Sequence, residues 1–86
     1  MLFRSRDREN PFAWYQLGVI YSQKGDTARA ALATAEQAQM TGQNAMALRS
    51  ATTAMAGLTE GSSDYLRAQD IALVARAAVE QERKRK

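Results

Sequence analysis

Among the side chains between the charged ends that could do chemistry are the carboxylates Glu36, Glu60 and Asp70 and the arginines Arg49, Arg67 and Arg76. General acid–base work needs titratable groups brought together at a reacting atom, and the three carboxylates are scattered with no spacing that suggests a pair. The 86 residues include no histidine and no cysteine. That removes the commonest general base, the commonest zinc ligands, the thiolate nucleophile and any disulfide. No glycine-rich loop is present to cradle a phosphate. The chain is therefore expected to be no enzyme, with no catalytic residue, metal ligand or cofactor. A guanidinium fork suits a carboxylate, so an arginine could hold the end of a peptide, although isolated arginines on helix exteriors are commonly solvated.

The formal net charge is +3, and it resides at the ends. Residues 1–9 contribute +1 (Arg4, Arg6 and Arg8 against Asp7 and Glu9), and residues 80–86 contribute +2 (Arg83, Lys84, Arg85 and Lys86 against Glu80 and Glu82). The stretch 10–79 holds five basic and five acidic side chains and sums to zero. Basicity confined to the ends weakens a nucleic-acid reading that rests on pI alone. No apolar run approaches the roughly 18 residues needed to span a membrane, so no membrane insertion is expected.

These groups must be carried on helices. Alanine fills 17 of 86 positions, one proline is present, and β-branched residues are sparse. That balance favours helix almost throughout, and small side chains let helix axes approach closely. The expected organisation is a flexible N-terminal segment at 1–9, a helical domain at 10–79 and a basic frayed tail at 80–86. Asn10-Pro11 reads as a helix start, with a first helix from about Pro11 to Lys24 and Gly25 ending it. Asp26 caps a second helix, about Thr27 to Thr41, with Gly42 as its stop. A third helix spans about Asn44 to Leu58. After the loop 59–63, Ser63 caps a fourth, with Asp64 in its first turn. Short turns make neighbours antiparallel. The fold class is thus all-α, helical hairpins in which the last helix, with Leu66, Ile71, Val74, Ala75, Ala78 and Val79, covers the open end. Met40, Met46 and Met55 are expected to fill core space.

The first helix reads Trp14-x-x-Leu17-Gly18-x-x-Tyr21, positions that share one helical face. Gly25-Asp26 closes the turn and Ala30 follows. This resembles the tetratricopeptide (TPR) signature of a 34-residue helix–turn–helix repeat. With about 5% usage at each of four positions, a chance match is on the order of 10⁻⁵ per start site. Trp14, Leu17 and Tyr21 are expected to fill the seam of a hairpin, with Gly18 admitting the next helix. The pattern then departs: Thr34, Gln37 and Gly42 stand where the repeat has a large apolar residue, an alanine and a proline. Gly42, Ala47 and Ala54 instead have the spacing of a repeat's second helix. The second helix would then serve two hairpins, with Ala31, Ala35 and Ala38 toward one neighbour and Ala30 and Ala33 toward the other.

From Asn10 to Ala75 (Asn-Pro-Phe-Ala-Trp-Tyr-Gln-Leu-Gly through Ser-Asp-Tyr-Leu-Arg-Ala-Gln-Asp-Ile-Ala) the chain is similar to the C-terminal TPR segment of bacterial periplasmic zinc metallopeptidases of the β-barrel assembly-enhancing type. The resemblance implies a larger parent polypeptide whose protease domain carries His-Glu-x-x-His, a periplasmic location, and a helper role in holding outer-membrane protein clients or their assembly machinery. With no histidine here, no zinc or catalytic residue carries over. A TPR array binds a protein or peptide along a groove lined mainly by the first helix of each hairpin, and Phe12, Tyr15, Gln16, Val19, Gln23 and Arg49 are the expected partner contacts. Alternatives are a stand-alone cytoplasmic adaptor or assembly chaperone, and a small basic nucleic-acid binder working through its tails. Barely two hairpins fall short of the about three repeats usually needed for stability, so self-association, by helix exchange for instance, is a further expectation.

Overall fold

Two glycines in the left-handed region, Gly25 (φ 78°) and Gly42 (φ 74°), set the topology of the chain. The computed structural model describes residues 9–85; apart from Glu9, the N-terminal segment expected to be flexible lies outside them. Each glycine closes the same kind of turn. The amide three residues beyond the helix returns to a carbonyl five positions back, Asp26 N–H to Tyr21 C=O at 2.9 Å and Gln43 N–H to Ala38 C=O at 2.9 Å. A side chain with a Cβ would be strained at either position. The result is four helices: α1 (Pro11–Gln23), α2 (Thr27–Met40), α3 (Asn44–Gly57) and α4 (Ser63–Lys84). The described residues contain no strand, and the fold is all-α with antiparallel helical hairpins.

Side chains fix most of the helix starts. The Asn10 carboxamide accepts from the Phe12 amide, and the Asp26 carboxylate accepts from the Arg29 amide. At α4 the cap is Ser62, one residue before the Ser63 expected from sequence; its hydroxyl accepts from the Tyr65 amide at 3.2 Å, and Ser63 is already helical. The basic end differs from expectation too. Residues 80–84 continue α4, and the Glu82 carboxylate accepts from the Asn44 side chain at 2.9 Å, tying the end of α4 to the start of α3.

Helix α2 is the hub. It packs along α1 on one side and along α3 and α4 on the other, and α3 packs along α4. The core of the α2–α3–α4 bundle is built largely from alanine: Ala35 and Ala38 of α2, Ala47, Ala51 and Ala54 of α3, and Ala68, Ala72 and Ala75 of α4. Among the described residues, Ile71 is the large side chain that is fully buried. Methyl-sized groups bury little area each, so the bundle depends on close approach of backbones more than on large apolar volume. Met55 packs against this cluster, as expected of core filling, and so does Leu58, whereas Met40 and Met46 are exposed. On α4, Ile71 and Ala75 face inward and Ala78 and Val79 are half-buried. Leu66 and Val74, expected to cover the open end, point outward together with Leu73, because the inward stripe runs through Ala68, Ile71, Ala72 and Ala75.

The close approach falls at Gly57 rather than at Gly18. A Cβ at Gly18 would sit 3.5 Å from the Ala33 Cβ, an ordinary contact, while a Cβ at Gly57 would sit 2.9 Å from the Ala28 Cβ. Gly18 lies mid-helix, so Gly18→Ala should stabilise by about 0.5–1 kcal/mol through helix propensity and lost unfolded-state freedom. Gly57→Ala should destabilise by about 1–2 kcal/mol through overpacking at the α2–α3 crossing. Urea denaturation of the two variants checks the opposite signs, and a stabilised Gly57→Ala protein would refute the close approach.

Candidate functional site

Helix α1 is unusual in composition. Eight of its 13 residues are apolar or aromatic (Phe12, Ala13, Trp14, Tyr15, Leu17, Val19, Ile20, Tyr21), and it carries no charge. A helix apolar on every side is ordinarily a core helix, yet none of the residues of α1 is buried. It rests on α2 and leaves a groove on the side of α4. Trp14, Leu17 and Tyr21 form one wall, Leu32, Ala33, Glu36 and Met40 of α2 the floor, and Ser63, Asp64 and Arg67 of α4 the far wall, enclosing about 540 Å³. The residues expected to fill a hairpin seam thus line an open groove, half-buried. The reason is geometric: α2 presents the small side chains of Ala30 and Ala33 to α1, which meets them at Gly18 in ordinary van der Waals contact while its bulky side chains overhang.

The far wall is electrostatic. The Arg67 guanidinium donates two hydrogen bonds to the Glu36 carboxylate, Nε to Oε2 at 2.7 Å and Nη2 to Oε1 at 2.6 Å. Nη1 reaches the Asp70 carboxylate at 3.2 Å, and Nη2 also reaches the Gln39 amide oxygen at 3.3 Å. Glu36 is 5% exposed, the one charged side chain in the buried set. Nearby, Arg29 Nε donates to Asp64 at 3.1 Å and its Nη1 pairs with Asp26 at 3.3 Å. Residues 29 and 36 on α2 carry plus then minus, and residues 64 and 67 on α4 carry minus then plus, so the two pairs lock the register of one helix on the other. The hydrogen bond to Glu36 raises the Arg67 pKa against the lowering effect of burial, and the hydrogen bond to Asp64 raises that of Arg29. Both arginines therefore stay charged at any pH at which the protein folds.

Of the carboxylates that looked scattered in sequence, Glu36 and Asp70 meet on one guanidinium, and the engaged Arg67 is part of the framework. The signal available beforehand was weak: Glu36 sits in the stripe that holds Leu32, Ala35 and Gln39, a charge within an inward face. The expected partner contacts divide. Phe12, Tyr15 and Val19 lie away from this groove, at 62%, 53% and 39% exposure; Tyr15 and Val19 instead border a shallower cleft against Ala30, Ala31, Thr34 and Gln37 of α2. The Phe12 and Tyr15 rings stack with centroids 6.2 Å apart. Gln16 and Gln23 are exposed on α1. Arg49 is exposed on α3 and does not line the groove, whose walls come from α1, α2 and α4 and not from the first helices of two hairpins. Of the remaining framework positions, Gly25 and Gly42 form the turns, the Ala30 carbonyl accepts the Thr34 hydroxyl at 3.1 Å, and Ala47 and Ala54 are fully buried. The arrangement can take an apolar segment between aromatic and aliphatic walls, with a fixed polar edge on one side.

Removing one member of a buried ion pair strands the other and costs about 3–5 kcal/mol. The Arg67 side chain is 44% exposed, so Arg67→Met should cost less, about 2 kcal/mol. The Glu36→Leu/Arg67→Met double variant should recover most of that loss. Urea denaturation around this double-mutant cycle reads the coupling directly, and a loss below about 0.5 kcal/mol for Arg67→Met would place the pair among surface contacts of no structural weight.

No protein-family model matches the chain, and neither a curated protein nor a solved structure matches it. What stands on geometry alone is a four-helix all-α fold with an aromatic-walled groove beside its first helix.

Proposed function

We propose that the chain is a non-catalytic protein-interaction module of the TPR type, which takes an apolar peptide or helix of a partner protein into the groove between α1 and α4. The observation that carries this reading is α1 itself, an uncharged helix apolar on all sides with no buried residue. Aromatic side chains held half-open on a rigid floor are the usual anchors of protein interfaces. The sequence supports the assignment through Trp14, Leu17, Gly18, Tyr21 and Gly25, which keep the TPR spacing on α1 and its turn.

The finer reading is that this module is the C-terminal substrate- or partner-binding part of a periplasmic zinc-dependent protease, with outer-membrane clients or their assembly machinery as its partners. It rests on the resemblance from Asn10 to Ala75, and it requires a His-Glu-x-x-His segment encoded upstream in the same frame. A frame without that segment would remove the protease connection and favour the alternative, a cytoplasmic TPR adaptor or assembly chaperone.

A photo-crosslinking amino acid replacing Met40, at the exposed rim of the groove, tests the site in source cells. Discrete protein adducts at Met40, at least about tenfold above those from the same probe at the exposed Thr52 of α3, are the expected result, since interface residues cluster at one patch. Equal labelling at the two positions would sink the groove as a binding site.

A further inference from the structure

We infer that the segment Leu2–Arg8 of this chain turns back along α1 and seats itself in the groove, so that the chain carries its own competitor for the site. The inference rests on the reading of the groove as a seat for an apolar segment, and it names the segment.

Charge selects the occupant first. Among the described residues of the charged wall, two arginines, Arg29 and Arg67, stand against four carboxylates, Asp26, Asp64, Glu36 and Asp70. Two negative charges are left over. The Asp64 and Asp70 side chains keep 43% and 63% of their surface exposed, so a further cation can reach them. Helix α1, the opposite wall, has no charge with which to answer them. An occupant that is both apolar and cationic is therefore favoured over a neutral or acidic one. Leu2-Phe3-Arg4-Ser5-Arg6-Asp7-Arg8 is such a sequence, two large apolar residues followed by three arginines against one aspartate. The arginines stand at every second position. An extended segment sets alternate side chains on one side, which aims Arg4, Arg6 and Arg8 at the carboxylates and Phe3 at the wall of Leu17 and Tyr21. Ser5 and Asp7 share the side of Phe3, nearer the entrance.

Length selects next. Asn10 caps α1 one turn before Trp14, which with Met40 marks one end of the groove, while Tyr21 and Arg29 mark the other. From Asn10 to Tyr21 is about 16 Å of helix. After a turn at Glu9, the five steps from Arg8 to Phe3 cover about 17 Å when extended, which brings Phe3 level with Tyr21. The other basic stretch, Arg83 to Lys86, is held away. Glu82 is tied to Asn44 of α3, and Lys84 lies about 26 Å along α4 from Arg67. A tether as short as that of Leu2–Arg8 sets an effective concentration of about millimolar, an advantage over any free peptide of the same chemistry.

Trp14 is the one tryptophan of the chain and lines the groove, so its fluorescence in the full chain reports occupancy. Quenching by acrylamide is expected to rise at least about twofold in Phe3→Ser and in the triple variant Arg4→Glu/Arg6→Glu/Arg8→Glu, and to stay unchanged in Arg83→Glu/Arg85→Glu. Retained helical circular dichroism identifies the folded variants. Quenching equal in all of them and in the parent chain would overturn the inference. A second readout locates the segment. The chain has no cysteine, so Phe3→Cys can be paired with Leu17→Cys in the groove, or with Val19→Cys, a similar distance along α1 but bordering the shallower cleft. At low micromolar protein the Leu17 pair should close an intramolecular disulfide at least about tenfold faster, since only neighbours within bonding reach can join. Equal rates, or a faster Val19 pair, would overturn the groove as the seat. Neither readout involves a foreign partner. Met40 adducts absent with Trp14 shielded would strike the partner reading alone, and adducts obtained with Trp14 unshielded would strike this inference alone.

Discussion

The arrangement of this molecule depends on one bidentate contact, the Arg67 guanidinium gripping the buried Glu36 carboxylate. A core made of alanine methyls has almost no shape of its own; alanine against alanine packs nearly as well after a slide of one turn. Two planar groups joined by two parallel hydrogen bonds do not tolerate a slide. The pair therefore supplies register where the apolar residues supply only proximity, and the Arg29–Asp64 contact one turn away repeats the instruction with the signs reversed. Burying a carboxylate is unfavourable unless its lone pairs are answered, and here the Asp70 carboxylate and the Gln39 amide oxygen accept from the same guanidinium and hold it in place. Among the described residues no buried side-chain polar atom lacks a partner.

With α4 fixed on α2, the remaining geometry follows. Helix α3 fills the angle between them through Ala47, Ala51 and Ala54, and comes close enough that Gly57 lies against Ala28. Helix α1, joined by the short turn at Gly25, reaches only the far side of α2. The groove is a product of this division: α1 and α4 both flank α2, and the space between them has no helix of this chain in it. The aromatic wall comes from local sequence and the charged wall from long-range pairing, so the two halves of the site have separate origins.

That difference in origin explains what could be read from the sequence. The four helices, their caps at Asn10 and Asp26, and the glycine turns follow from signals within a few residues of each other, and the helix ends fall within one residue of expectation except at the C-terminal end of α4, which runs on to Lys84. The double service of α2 was legible as two sets of alanines on two faces. The Glu36–Arg67 pair joins residues 31 apart; the one local hint is that Glu36 falls within an inward stripe of α2, and nothing local marks Arg67 as its partner. The inward face of α4 departs from expectation at Leu66 and Val74, because side-chain size is a poor guide to burial here. In an alanine-built bundle the inner positions go to the small residues, and leucine is left outside. Gly18 and Gly57 show the same reversal: the glycine inside a recognisable motif has room beside it, and the one outside any motif does not.

The way α1 is attached has a consequence for how the fold opens. The three-helix unit α2–α3–α4 holds the buried cluster and the ion pairs, while α1 contributes no buried residue and packs along a single neighbour. Free energies of local opening track buried contact, so α1 is the first cooperative unit to detach and its amides are the least protected against exchange with solvent. Under the proposed function, occupancy of the groove would thus be coupled to the order of the helix that forms its aromatic wall.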